Sequence, residues 1–265
     1  MGFSYAGNLG GAGAPVVQRH LINETCYTGQ LLMFQKPTTD GVNIGGTVRI
    51  VDAAAEAHED AFPIGGIVGG VVDASRTYVK SVSGTQQYGD RSTYTTTLAT
   101  VLANGPGEVE VTLIIPGITL VRAPIFNGAW GTALTEQVAT TTDATGVTIT
   151  ATGDAITDIA DDMAVAYCRS GASRGEYRVV TTSTSTTANV VLIPFSKGIV
   201  AGDVFVIASC VPGLASLQIP ATADCIDGNV ISNVGYDVFY HQVNLQESGK
   251  EFAIFTLWNG YHIHA

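Results

Sequence analysis

The sequence predicts an all-β protein, and three observations carry that expectation. Short segments alternate apolar and polar side chains, as in Glu108-Val109-Glu110-Val111-Thr112-Leu113-Ile114-Ile115, the period of a half-buried strand. The chain's 31 glycines punctuate these segments, where glycine serves turns and bulges and would weaken helices. Only 13% of the residues are charged, about half the usual share, too few to clothe the outer faces of long solvated helices. Together they point to two β-sandwich or barrel-like modules behind an extended N-terminal arm.

The arm is residues 1–24. Gly2, Gly7, Gly10, Gly11 and Gly13 interrupt any period there, so the stretch is expected to gain order by lying on its own domain or on a neighbouring subunit. A first module, 25–128, opens with strands at 29–34 and 46–51 around a turn at 37–41. The Ala-rich run at 52–57 is the best helical stretch of the first half, cut short by Pro63. Residues 62–72 read as a glycine-punctuated strand pair continued at 76–80, and 81–97 as a polar loop or exposed ribbon. The clearest strand is 108–116, with Val109, Val111, Leu113 and Ile115 on one face, and 119–122 follows the Pro116-Gly117 turn.

Beyond Asn127-Gly128-Ala129-Trp130-Gly131 the composition shifts to Thr, Asp and Ala, which sets off a second module, 129–265. Strands are expected at 146–154, 163–168, 176–180, 189–194 and 202–207, close enough together for antiparallel hairpins. The last segment holds Tyr236, Phe239, Tyr240, Phe252, Phe255, Trp258 and Tyr261, aromatic weight enough to close a core.

Charge narrows the partners. Twelve Lys and Arg stand against 23 Asp and Glu, a net charge of −11, and no basic cluster occurs. Nucleic acid requires a basic face and anionic lipid a polybasic segment, so neither is an expected partner. The first twenty residues lack a charged n-region and a continuous apolar stretch, so no secretory signal is expected. No apolar run approaches the roughly 20 residues of a membrane helix. Met1-Gly2 lacks the Ser/Thr that a myristoylation start would place at Ala6. Asn23-Glu24-Thr25 matches a glycosylation sequon that has meaning only in a secreted chain. Cys26, Cys168, Cys210 and Cys225 form no C-x-x-C pair, which argues against zinc and for buried thiols, although two disulfides remain arithmetically open.

Few residues suggest chemistry. Gly171-Ala172-Ser173-Arg174-Gly175 matches the G-x-S-x-G nucleophile pattern, but that elbow must open a helix and here a strand-like segment follows. His262 and His264 would share a strand face and could hold a metal with His241, yet no carboxylate or Cys lies nearby in sequence to complete a shell. Asp154, Asp158, Asp161 and Asp162 match no calcium-loop spacing and read as a solvated acidic turn. Gly10 to Gly13 is a G-x-G fragment without the strand and helix of a phosphate cradle. The expectation is therefore no enzyme, no cofactor and no metal site.

Two segments carry a family resemblance. Val48-Arg49-Ile50-Val51-Asp52-Ala53 followed by Phe62-Pro63-Ile64-Gly65-Gly66-Ile67-Val68-Gly69-Gly70-Val71-Val72 resembles the strand, Ala-rich turn and glycine-spaced run of tailed-bacteriophage capsid decoration (cement) proteins. Gly175-Glu176-Tyr177-Arg178-Val179-Val180 with Gly202-Asp203-Val204-Phe205 is similar to a strand–turn–strand segment of several phage structural proteins. The chain is about twice the length of a minimal barrel, which favours two β-modules over one. The resemblance implies a virion protein made in the host cytoplasm, binding the major capsid protein on the capsid surface in many copies across capsomer boundaries, and itself a homotrimer. The alternatives are a receptor- or glycan-binding tail or surface protein, and the major capsid protein itself, against which the absence of a long helix counts.

Overall fold

In the computed structural model the described residues are 2–11, 13–22, 26–34, 47–51, 64–72, 93–94, 107–151, 160–185, 188–220, 223–229 and 235–263. Among them every regular element is a strand, as the composition predicted. The stretches expected as a turn at 37–41, a helix at 52–57 and a strand at 76–80, and nearly all of the loop at 81–97, lie outside the described residues.

The chain divides into two compact units. One comprises 1–123, 219–225 and 254–264; the other comprises 124–218, 226–253 and residue 265. The break falls inside a strand rather than at the 128/129 junction, and the C-terminal stretch is shared. Sequence order alone carries no sign of such an exchange.

The first unit is built on a closed five-stranded barrel. Its strands are β2 (Val17–Ile22), β4 (Leu31–Phe34), β5 (Thr47–Ile50), β6 (Ile64–Val72) and β8 (Gly107–Leu113), in the order β2-β5-β4-β6-β8. Closure leaves no edge strand to recruit other chains. Val109 and Val111 point inward and are fully buried, as the alternation required, while Glu108 and Glu110 are half-exposed. The alternation then changes phase. β8 ends at Leu113, Ile114 is buried as its N–H bonds the Gly65 carbonyl, and Ile115 is exposed. Residues 64–72 form one strand with a register shift between Val68 and Gly70, rather than a pair.

The glycines of β6 make room for neighbours. A Cβ on Gly66 would lie 2.1 Å from Val111 Cγ1 and 2.9 Å from the Thr112 carbonyl oxygen, and one on Gly65 would strike the Phe34 ring. Backbone must shift to admit it, so Gly66→Ala should cost about 1–3 kcal/mol by overpacking. Thermal unfolding followed by circular dichroism checks this, and an unchanged melting temperature would contradict it.

The expected arm contributes two strands to the chain's own sheets. β1 (Ser4–Asn8) pairs antiparallel with β9 (Thr119–Phe126), and β2 pairs with β5 and β8. Phe3 is buried edge-on against Phe255, with ring centroids 6.2 Å apart. Of the two supports the sequence allowed, these residues use their own domain. β3 (Cys26–Tyr27) and β7 (Thr93–Tyr94) form a small ribbon.

The second unit centres on a six-stranded curled sheet. Its strands are β10 (Glu136–Val138), β11 (Thr148–Thr150), β12 (Ala160–Cys168), β13 (Tyr177–Ser185), β14 (Ala188–Val191) and β15 (Val204–Ala208), ordered β10-β15-β12-β13-β14-β11. Its two outer strands meet at an Ala139–Ala151 bridge, where the Thr140 N–H donates to the Thr150 carbonyl at 2.7 Å. The sheet thus curls towards a barrel around Ile149, Val180, Phe195, Phe205 and Ile207. β13 runs through the polar Thr181-Thr182-Ser183 stretch, because Thr is at home on a half-exposed sheet face.

In the second unit β16 (Gly213–Leu217) pairs antiparallel with β18 (Gly235–Asn244), and the last strand, β19 (Phe252–Ile263), is divided between the two units. β17 (Ile226–Asp227) joins β9 in parallel. Pro124, which has no N–H to give, sits between the residues of β9 that pair with β1 and those that pair with β17.

Candidate interaction surfaces

The G-x-S-x-G motif is the turn of the β12–β13 hairpin. Gly171 and Gly175 take positive φ, the Gly175 N–H returns to the Cys168 carbonyl at 2.9 Å, and β13 follows directly. Ser173 is 2% exposed, its Oγ accepting from the Lys197 N–H at 3.2 Å and facing the Gly198 carbonyl. The hydroxyl pins two loops together, and the turn runs into a strand rather than a helix, so no nucleophile elbow forms.

The other candidates also resolve locally. His241 is exposed and stacks on Phe239 at 5.0 Å. His262 lies in β19, and His264, Asp154 and Asp158 lie outside the described residues. Asp161 and Asp162 fall in β12. Among the described residues no three His, Cys, Asp or Glu side chains are grouped to hold a metal. Gly10 and Gly11 form a tight turn at positive φ after β1. All four cysteines are buried and none is in a disulfide, and burial pushes the thiols of Cys168 and Cys210 up to about 11 and about 12, so both remain protonated at neutral pH. Tyr236, Tyr240 and Phe255 are core residues, but Trp258 is 58% exposed.

Trp258 belongs to an apolar surface of the first unit. The Leu9 N–H donates to the Ile118 carbonyl (2.8 Å), the Ile118 N–H to Ile115 (3.0 Å), and the Gly117 N–H to Leu257 (2.7 Å). These bonds join the backbone of Leu9 to that of Ile118 and Ile115 and set Gly117 beside Leu257, the residue before exposed Trp258, with exposed Val16 beside Leu113 through the Leu113 N–H. The three contributing segments, 1–18, 111–121 and 252–261, contain no Asp, Glu, Lys or Arg. Scattered exposed apolar residues are ordinary, whereas a contiguous uncharged group marks a contact surface.

The second unit presents a different apolar feature, the loop 192–194. Leu192 and Ile193 are 60% and 61% exposed, and Pro194 is exposed. The loop is held from both sides. The Leu192 N–H bonds Val179 (2.9 Å), and buried Phe195 bonds the Gly146 carbonyl (2.9 Å) and packs against Phe205 at 5.3 Å. The Arg178 guanidinium donates to the Pro194 carbonyl at 2.9 Å and to Glu176 Oε2 at 2.5 Å, and it lies 5.4 Å over the Phe195 ring. Glu176 also accepts from the Ser196 hydroxyl and from its N–H, and these bonds, chiefly the hydroxyl's, hold its carboxyl below the usual range.

Asp143 braces the turn that leads into β11. It accepts from the Thr145 hydroxyl and from the N–H groups of Thr145, Val147 and Thr148, and its backbone bridges Ile199. Those bonds, the Thr145 hydroxyl first, lower its pKa from 3.8 to about 2. A depressed carboxyl stabilises fully above its unfolded value and loses that contribution as pH falls through the folded one. Asp143→Ala should therefore lower the melting temperature at neutral pH and flatten its decline between 3.8 and about 2. An unchanged pH profile would rule out the turn-bracing role.

A buried ionic cluster ties the second unit together. Arg169, just after β12, has a side chain 6% exposed; its Nε donates to the Leu245 carbonyl (2.8 Å) and its Nη1 to Glu136 (2.6 Å). Its Nη2 donates to Glu251 Oε1, a carboxylate that is completely buried and whose Oε2 has no hydrogen-bond partner. Loose spacing in sequence gave no sign of this cluster, nor of the two apolar surfaces, whose parts are separated by tens of residues.

No protein-family model, curated protein or solved structure matches the chain. The structure defines it as an all-β protein of two units, a closed five-stranded barrel and a curled six-stranded sheet.

Proposed function

We propose that this chain is a viral structural protein that decorates and stabilises a phage capsid, binding across capsomer boundaries in many copies. The observation that carries the proposal is the pair of exposed apolar groups on strand scaffolds, Leu9, Ile115, Ile118 and Trp258 in the first unit and Leu192 and Ile193 in the second. Such surfaces suit burial against protein neighbours, and many weak copies bound together gain strength by multivalency rather than by chemistry. The two phage-like segments fall in β5–β6 and in β13–β15, consistent with a two-module member of that class. Net acidity keeps such a protein off packaged DNA. The partners in this proposal are the major capsid protein and further copies of the chain, as a trimer on the capsid surface.

Exposed Trp258 supports a second reading, a receptor- or glycan-binding virion surface protein, since an exposed indole can stack on a sugar ring. Acrylamide quenching separates the two. In a Trp130→Phe background the free protein should be readily quenched at Trp258. Expanded phage capsids should suppress that quenching under the decoration reading. Suppression by oligosaccharides and not by capsids would favour the glycan reading and overturn the first.

A further inference from the structure

We propose that Asn127 is a self-modification site: its side-chain amide cyclises onto the Gly128 nitrogen and is lost as ammonia, with the Asp227 carboxylate as general base. The reaction is separate from the structural-protein reading and stands or falls without it.

The sequence supplies the first argument. Gly128 follows Asn127, and a glycine offers its backbone nitrogen with no side chain to block a close approach. The chain has two further Asn-Gly dipeptides, at 104–105 and 259–260, so the dipeptide alone does not single out this position. Its surroundings do.

The attacking atom is the Gly128 nitrogen, and its N–H donates to Asp227 Oδ1 at 3.0 Å, within the reach required of a general base. Asp227 is 7% exposed and also accepts from the Asn229 N–H at 3.0 Å, which fixes the carboxylate in place. Taking a proton from a peptide nitrogen puts negative charge on the carbonyl oxygen of the same peptide unit, here that of Asn127. That oxygen accepts from the Ala129 N–H at 2.9 Å, a donor already set where the charge develops. The side-chain amide is itself tethered, its Nδ2 donating to Thr135 Oγ1 at 3.4 Å. The turn is also strained. A bond from the Ala129 N–H back to Asn127, across Gly128 at φ 72°, makes a γ-turn of the rare hand. Gly128 is exposed, so water reaches the turn. All of these residues belong to the second unit.

The step consumes only water. The Gly128 nitrogen passes its proton to Asp227 and bonds to Asn127 Cγ. The Cγ–Nδ2 bond breaks, the proton goes to Nδ2, and ammonia leaves behind a succinimide ring. Water then adds to one of the two ring carbonyls, giving aspartate or isoaspartate at 127. The product adds a carboxylate beside buried Asp227, a like-charge contact that loosens the turn.

The test is site-resolved mass spectrometry of the full chain held at neutral pH. It reads the mass gain of amide to acid at each Asn-Gly dipeptide, and isoaspartyl methyltransferase labelling counts the rearranged product. Position 127 should convert faster in the folded chain than in a free peptide spanning 124–136. Asp227→Ser keeps an oxygen for the Gly128 and Asn229 N–H groups but removes the base. It should slow conversion at 127 by about 10-fold or more and leave 104 and 259 unchanged. Circular dichroism checks that this variant folds, and if it does not, the comparison of folded chain with peptide decides alone. Conversion at 127 no faster than in the peptide would overturn the proposal and make the Asp227 bond a shield. A folded Asp227→Ser chain that converts as fast as the wild type would overturn it as well.

Discussion

Replacing Arg169 by Met will lower the stability of the second unit by about 3–5 kcal/mol. The argument turns on what the substitution leaves behind. Glu251 is completely buried, and Arg169 is its only cationic partner among the described residues. A buried ion pair adds little over a well-packed apolar pair, but removing one partner strands the other charge in a poor solvent. The guanidinium also satisfies the Leu245 carbonyl, which loses its donor. Glu136, with a side chain 44% exposed, regains water and adds little. A double variant, Arg169→Met with Glu251→Leu, should therefore recover most of the loss, and the cycle should show a coupling of a few kcal/mol. Each unit holds one of the chain's two tryptophans, so urea unfolding read at Trp130 in a Trp258→Phe background reports on the second unit. A loss below about 1 kcal/mol would mean that the cluster behaves like a surface ion pair.

Phe205→Ala should be comparably severe, at about 3–5 kcal/mol. Phe205 is fully buried on β15 at the centre of the curled sheet and packs against Phe195. Truncation leaves a cavity that a sheet tied at both edges closes poorly. It also removes the support of Phe195, from which the 192–194 loop departs. The variant should lose loop order as well as stability. Amide exchange at Leu192 and Ile193 should quicken by more than it does in an equally destabilising barrel variant such as Val111→Ala. Equal acceleration in both would separate the loop from the core beneath it.

The fold class was legible because it depends on local patterns. Val109 and Val111 alternate with glutamates, and the glycines stand at turns and close approaches. What stayed hidden depends on long-range pairing. The arm reads as unpatterned because β1 is short and bulged between Tyr5 and Gly7, yet Phe3 and β2 lock it into place. Truncating residues 1–24 therefore removes a barrel strand and tests folding rather than attachment. Ile115 was assigned to the buried face by period alone, and the phase change after Leu113 turns it outward onto the apolar surface. The C-terminal aromatics divide for the same reason, with Phe239 and Phe252 half-buried between the extremes. Tyr236, Tyr240 and Phe255 are buried, whereas Trp258 is exposed. Arg169, Glu136 and Glu251 carry no spacing that marks them, since only the folded unit brings them together.

The central claim is that this protein acts by binding capsid surfaces in many copies. The most direct measurement is co-sedimentation of the purified chain with expanded, empty phage capsids, followed by electron microscopy of the pelleted shells. The account predicts saturable binding in a fixed ratio to capsomers, with added density at capsomer boundaries and weaker binding by a Leu192→Asp, Ile193→Asp variant. Shells that pellet without the protein, or that carry it only at a tail or a single vertex, would contradict it.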